Sequence, residues 1–112
     1  MAYRVTKKPT FTIRVTVVEP GDTDSGAVET SEFTARFKRV TGEELHALRT
    51  SGRSDKDLMQ EVLVGWSDLT DDSGAQVPFS VEFCETLLSI PHALRGVVHA
   101  FMAGASGAGL KN

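Results

Sequence analysis

Cysteine, tryptophan and tyrosine each occur once in the 112 residues, as Cys84, Trp66 and Tyr3. A single thiol makes no internal disulfide and cannot build a zinc site on several thiolates. No apolar run approaches the ~20 residues that cross a bilayer. The opening residues, Met1 to Lys8, include Arg4, Lys7 and Lys8 but no apolar signal segment, so the expected location is the cytosol. No glycine-rich stretch has phosphate-binding spacing, because the C-terminal glycines lead into no helix. Internal repeats are also missing. The length fits one domain at the small end of what buries a core unaided.

Charge is present but divided. Overall, 12 Lys and Arg face 15 Asp and Glu, for a net charge of −3. Residues 1–40 carry a surplus of two positive charges, through Arg4, Lys7, Lys8, Arg14, Arg36, Lys38 and Arg39. Residues 41–112 carry a surplus of five negative ones. A molecule with two ends of opposite sign can stack head to tail, through strand edges or helix faces, in oligomers that weaken as salt rises. Duplex DNA binding calls for a denser basic face.

The chain opens with a β pattern. Phe11, Ile13, Val15 and Val17 alternate with Thr10, Thr12, Arg14 and Thr16, which is the period of a half-buried strand. Pro20-Gly21 ends it, and Asp22 to Gly26 form a polar tip. Phe33, Ala35 and Phe37 then alternate with Thr34, Arg36 and Lys38. Together these predict an antiparallel hairpin over about residues 10–40 whose apolar face needs a cover.

About four short helices supply that cover. Thr41 and Glu44 fit a capping box opening a helix with Leu45 and Leu48. Ser54 caps a second, on which Leu58, Met59, Val62, Leu63 and Trp66 fall at helical spacing. Ser67 to Gly74 read as a loop. Ser80 caps a third helix, burying Val81, Cys84, Leu87 and Leu88. Pro91 suits the first turn of a fourth, which carries Leu94, Val97, Val98, Phe101 and Met102. The fold class is α+β, one domain over residues 1–103, with residues 104–112 a flexible Gly/Ala-rich tail.

Chemistry-bearing residues are few. Cys84 lies in the apolar stripe of its helix, where a free cysteine acts as a small hydrophobe. His92 and His99 are seven apart, whereas metal pairs on a helix sit three or four apart, and His46 is remote. Asp68, Asp71 and Asp72 precede Gly74, but Ser80 stands where a calcium loop needs glutamate. No catalytic set, metal or cofactor is expected. Arg36, Lys38 and Arg39 decorate a strand's outer face, which also discourages edge pairing. Trp66 reads as core, with partner anchor as the alternative.

Several of these segments occur in a recognisable order. Phe37-Lys38-Arg39-Val40-Thr41-Gly42-Glu43-Glu44-Leu45 is followed by Glu61-Val62-Leu63-Val64-Gly65-Trp66, then Val77-Pro78-Phe79-Ser80 and Leu87-Leu88-Ser89-Ile90-Pro91. Over roughly residues 30–103 this resembles the tail assembly chaperones of long-tailed bacteriophages and prophages. The resemblance implies a non-enzymatic assembly factor that binds the tape measure protein, keeps it soluble and helps recruit tail tube subunits. It also implies self-association, action in the host cytoplasm and absence from the mature virion. A tape measure protein is long, helical and apolar along one face, so adaptable side chains suit it. Met59, Met102, Phe79 and Phe83 are the candidate contacts, while Phe101 reads as core. The rival function is a small prophage nucleic-acid-binding regulator that uses the basic hairpin.

The family often makes a second, longer product by programmed frameshifting. Gly109-Leu110-Lys111-Asn112 permits slippery codons, and a glycine-rich joint would give an extension freedom. A slippery heptanucleotide at codons 109–112 with an open −1 frame beyond it is therefore expected in the gene. Nucleotide sequencing decides this, and a −1 frame that closes at once rejects it.

Overall fold

A computed structural model describes residues 1–5 and 8–107. Strands β1 (Thr10–Pro20) and β2 (Val28–Lys38) form the expected hairpin, in register from Thr10 opposite Lys38 to Pro20 opposite Val28. Helices α1 (Gly42–Thr50) and α2 (Asp55–Val62) follow, then strand β3 (Leu63–Ser67), α3 (Val81–Leu88) and α4 (Pro91–Ser106). The sheet is antiparallel in the order β1-β2-β3. The fold is α+β in two layers, with helices packed on one face of the sheet.

The helix starts follow their caps. Thr41 accepts from the Glu44 amide at 3.1 Å, while Glu44 accepts from the Thr41 amide at 2.9 Å, completing the capping box. The Ser54 and Ser80 hydroxyls accept from the amides of Asp57 and Phe83. Pro91 occupies the first turn of α4, and Gly107, at φ 79°, takes the left-handed conformation that ends it.

The inner sheet face carries Val15, Val17, Phe33, Ala35 and Phe37, all buried. Against them lie Leu58, Met59 and Val62 of α2, Cys84 and Leu88 of α3, and Ala93, Val97, Ala100 and Phe101 of α4. Phe11, Phe37 and Phe101 form one aromatic cluster, with ring centroids 5.2 to 6.3 Å apart. Helix α1 buries no residue fully, and only Leu45 and Leu48 reach the core's rim.

Two expectations need correcting. Leu63 and Trp66 belong to a strand, not to the second helix. Leu63 pairs opposite Phe37 and Trp66 opposite Ala35, with a bulge at that step. Residues three apart on a regular strand face opposite ways, and the extra residue of the bulge returns both to the inner face. Helical spacing was thus reproduced by an irregular strand. Nor does the fold stop at residue 103. Helix α4 runs through Gly104, Ala105 and Ser106, with Ala105 packed on the core. A Cβ at Gly104 would overlap the Phe11 ring, so the small side chain there serves packing. The rest of the expected tail, residues 108–112, lies outside the described residues.

A two-stranded sheet would leave both edges open, but β3 covers the edge of β2 from Thr34 to Phe37. The edge of β1 is treated differently. Arg39 donates to the Pro9 carbonyl and Gly21 to the Ala27 carbonyl, bracketing the ladder. Bonded pairs alternate in an antiparallel ladder, so Thr10, Thr12, Arg14, Thr16 and Val18 direct their backbone groups outward. Pro20, next in that series, has no N–H to leave unpaired. Helix α4 packs along β1, and a Cβ on Gly96 would stand 2.6 Å from the Thr16 carbonyl oxygen. Covering an edge with a helix is one way to keep it from pairing with another chain.

This approach has a measurable cost if disturbed. Gly96→Ala gains up to ~1 kcal/mol in helix propensity, but it drives a methyl group into a backbone carbonyl that cannot turn aside. A net loss of about 1–3 kcal/mol is expected, read as a lower midpoint in urea. Gly42→Ala, at an open helix start, should leave that midpoint unchanged or raise it.

Candidate functional site

The groups most suited to catalysis are dispersed. Cys84 is 3% exposed in the core, and its burial pushes the thiol's pKa up, away from the reactive thiolate. Among the described residues, no group of three His, Cys, Asp or Glu side chains is placed to hold a metal ion. The acidic loop is a turn held together by its own carboxylate. Asp71 accepts from the Ser73 hydroxyl at 2.6 Å, the Ser73 amide at 2.9 Å and the Ala75 amide at 3.1 Å. These bonds, the hydroxyl first, hold its carboxyl below its ordinary pKa. Gly74, at φ 84°, and a bridge between Thr70 and Gln76 close the turn.

The basic face of the hairpin is largely engaged with its own sheet. Arg14 donates to Asp68 at 2.9 Å, to Thr34 at 2.9 Å and to Glu32 at 3.4 Å. The Asp68 bond leads in raising the guanidinium's pKa. Asp68 itself sits at φ 63°, a left-handed conformation that a short polar side chain tolerates. Arg36 reaches the Thr10 hydroxyl at 3.1 Å and lies over Gly65. Arg39 lies 5.6 Å above the Phe11 ring.

Apolar side chains left at the surface make the stronger feature. Trp66 organises one group of them. Half-buried at the sheet margin, its indole N–H donates to the Val77 carbonyl at 2.8 Å. Its ring meets Phe79 edge-to-face, with centroids 4.7 Å apart. The loop entering α3 is thereby pinned, and Phe79 stays 37% exposed beside the helix start. Phe83 follows within the first turn of α3 and is 47% exposed. Val81 and Ile90 are also exposed, so the expectation that Val81 is buried is corrected. Helix α3 starts beyond the margin of the core, and only its later residues Cys84 and Leu88 reach inward.

The other group lies on α4. Met102 is half-buried, in a row with Leu94 and Val98. These residues and Pro91, Arg95, His99 and Asp55 line an open groove of ≈ 510 Å³. Of the four candidate contacts, Phe79, Phe83 and Met102 are reachable from solvent. Met59 is not: at 1% exposed it fills the core beneath the sheet, and it is withdrawn as a contact residue. Leu94 and Val98, expected on this helix, pack partly against the core and also border the groove. Their signal was present in the width of the apolar arc on this helix, which exceeds what one buried face uses.

Comparison of the chain with protein-family models, with curated proteins and with solved structures finds no match. The surface chemistry of α3 and α4 is therefore the basis for assigning a role.

Trp66 carries both a ring contact and a hydrogen bond, and two substitutions separate them. Trp66→Ala should lose about 3–5 kcal/mol, enough to threaten so small a domain. Trp66→Phe keeps most of the packing but strands the Val77 carbonyl, for a loss of about 1 kcal/mol. Thermal melting of the two variants reads the difference.

Proposed function

We propose that the protein is a tail assembly chaperone of a long-tailed bacteriophage or prophage. In this reading it binds the tape measure protein in the host cytoplasm, keeps it soluble and aids recruitment of tail tube subunits, needing no cofactor. The observation that carries the reading is the exposure of Phe79 and Phe83 on a domain short of large side chains. A fold of this size gains stability from each aromatic ring it buries, and here two are held at the surface, one braced by Trp66. Aromatic rings and a flexible methionine such as Met102 adapt to the varied apolar stripe of a long helical partner. The order of segments from Phe37 to Pro91 supports the same family.

Co-expression with a tape measure protein, which this reading expects to be a long helical product of a neighbouring gene, tests this. The soluble yield of that partner should rise severalfold when the chaperone is present. Phe83→Ser should reduce the gain, because losing one exposed aromatic contact of ~1.5–3 kcal/mol weakens binding roughly tenfold or more. A partner equally soluble with and without the protein would refute the proposal.

A further inference from the structure

The hairpin separates charge along its length. Residues 1–18 and 33–42 contain no Asp or Glu, whereas Glu19, Asp22, Asp24, Glu29 and Glu32 lie in the half nearer the tip. At the basic end, an open cavity of ≈ 470 Å³ lies between the first residues, the junction of β2 with α1, and the end of α4. Arg4, Lys8 and Arg39 line it, and no carboxylate does. Arg14, Arg53 and Lys56 are tied in ion pairs elsewhere. Among the described residues, no ion pair holds Arg4, Lys8 or Arg39. Val5, Phe11, Val40 and Ala105 give the same cavity an apolar wall.

Arg39 is placed to take an acceptor. Its guanidinium stands 5.6 Å above the Phe11 ring, and that ring packs in turn on Phe37 and Phe101. A guanidinium set over a ring keeps the N–H fork at its edge for a carboxylate. Glu44 does not supply one, because its carboxylate accepts from the Thr41 amide at 2.9 Å and does not line the cavity. We propose that this cavity binds an acidic peptide segment of a partner protein, one in which carboxylates flank an apolar side chain. The carboxylates meet Arg39, Arg4 and Lys8, and the apolar side chain enters against Val5, Val40 and Ala105. Capture of acidic segments by clustered arginines is a recurrent mode of recognition. A nucleic acid fits the cavity less well. It carries a charge at every unit, and just past Thr41 the first turn of α1 presents Glu43 and Glu44. The cavity shares no lining residue with the groove of Leu94, Val98 and Met102. The inference goes beyond the chaperone reading and does not depend on it.

Fluorescence anisotropy of a labelled peptide, Glu-Glu-Leu-Glu-Glu-Leu, with the full chain tests it. The peptide should bind at low salt and weaken as salt passes ~0.15 M, where charges more than about 8 Å apart are screened. With lysine in place of glutamate it should not bind. With serine in place of leucine it should bind about threefold or more weakly, through the lost apolar contact. Arg4→Gln with Lys8→Gln, both at exposed positions, should weaken binding about tenfold and leave the melting temperature unchanged. Arg39→Lys keeps the charge but loses the fork, and should weaken it about fivefold. Arg49→Gln with Arg95→Gln removes two charges outside the cavity and should leave the affinity as it is. If Arg39→Lys lowers the melting temperature, titration of the parent followed by NMR replaces it. The peptide should then shift the amide signals of Thr41, Gly104 and Ala105, which line the cavity, before those of Leu94 and Val98. A peptide that does not bind overturns the proposal, as does a serine version that binds equally well. It is also overturned if the Arg49 and Arg95 pair weakens binding as much as the Arg4 and Lys8 pair. Tighter binding of a ten-base oligothymidylate than of the peptide overturns it in favour of a nucleic acid.

Discussion

The close approach of α4 to β1 is the constraint on which the rest of the structure depends. At Gly96 the helix backbone comes against the Thr16 carbonyl, and at Gly104 it meets the Phe11 ring. Between them Ala100 and Phe101 enter the core. With larger residues at these positions the helix would be held away from the strand. Phe11, Phe37 and Phe101 would then lose their mutual contact, and the outward backbone groups of β1 would lie open to pairing. Helices α2 and α3 pack on α4 and on each other, so its position sets theirs. Hydrophobic burial supplies the free energy here, but small side chains decide whether it can be collected.

The Trp66 pedestal extends this arrangement to the surface. β3 is short and bulged, and it brings one large ring to the sheet margin, where the ring packs and its N–H anchors the loop to α3. The position of Phe79 and the start of α3 follow from that anchor. A surface built this way is fixed at its base by one ring contact and one hydrogen bond.

Much of the fold could be read from residue order. Alternation marked β1 and β2, and Thr41, Ser54, Ser80 and Pro91 marked four helix starts, because caps act within a few residues and leave a local signature. The misreadings involved non-local geometry. Leu63 and Trp66 kept helical spacing because a bulge depends on the partner strand, which local sequence does not reveal. Gly104 and Ala105 read as flexible because a small residue looks the same whether it loosens a chain or admits a neighbour. Met59 and Met102 have identical chemistry, and only the position of the helices buries one and leaves the other at a groove. For the proposed contact surface, Phe79 and Phe83 were visible as candidates, while the place of Leu94 and Val98 at the groove was hidden in an apolar arc that also packs on the core.

The topology joins the first strand of the fold to its last helix. Thr16 and Gly96 are 80 residues apart, so the contact that covers β1 is among the most distant in sequence, and such contacts form late and slowly. During synthesis the hairpin leaves the ribosome long before α4 exists. Until then its apolar face and outward edge have no cover, a state in which chains readily misassociate. Completion of α4, rather than of the sheet, is thus the event that makes the newborn chain safe. Any sequence translated beyond Gly107 would give that helix time to clear the ribosome and dock before release.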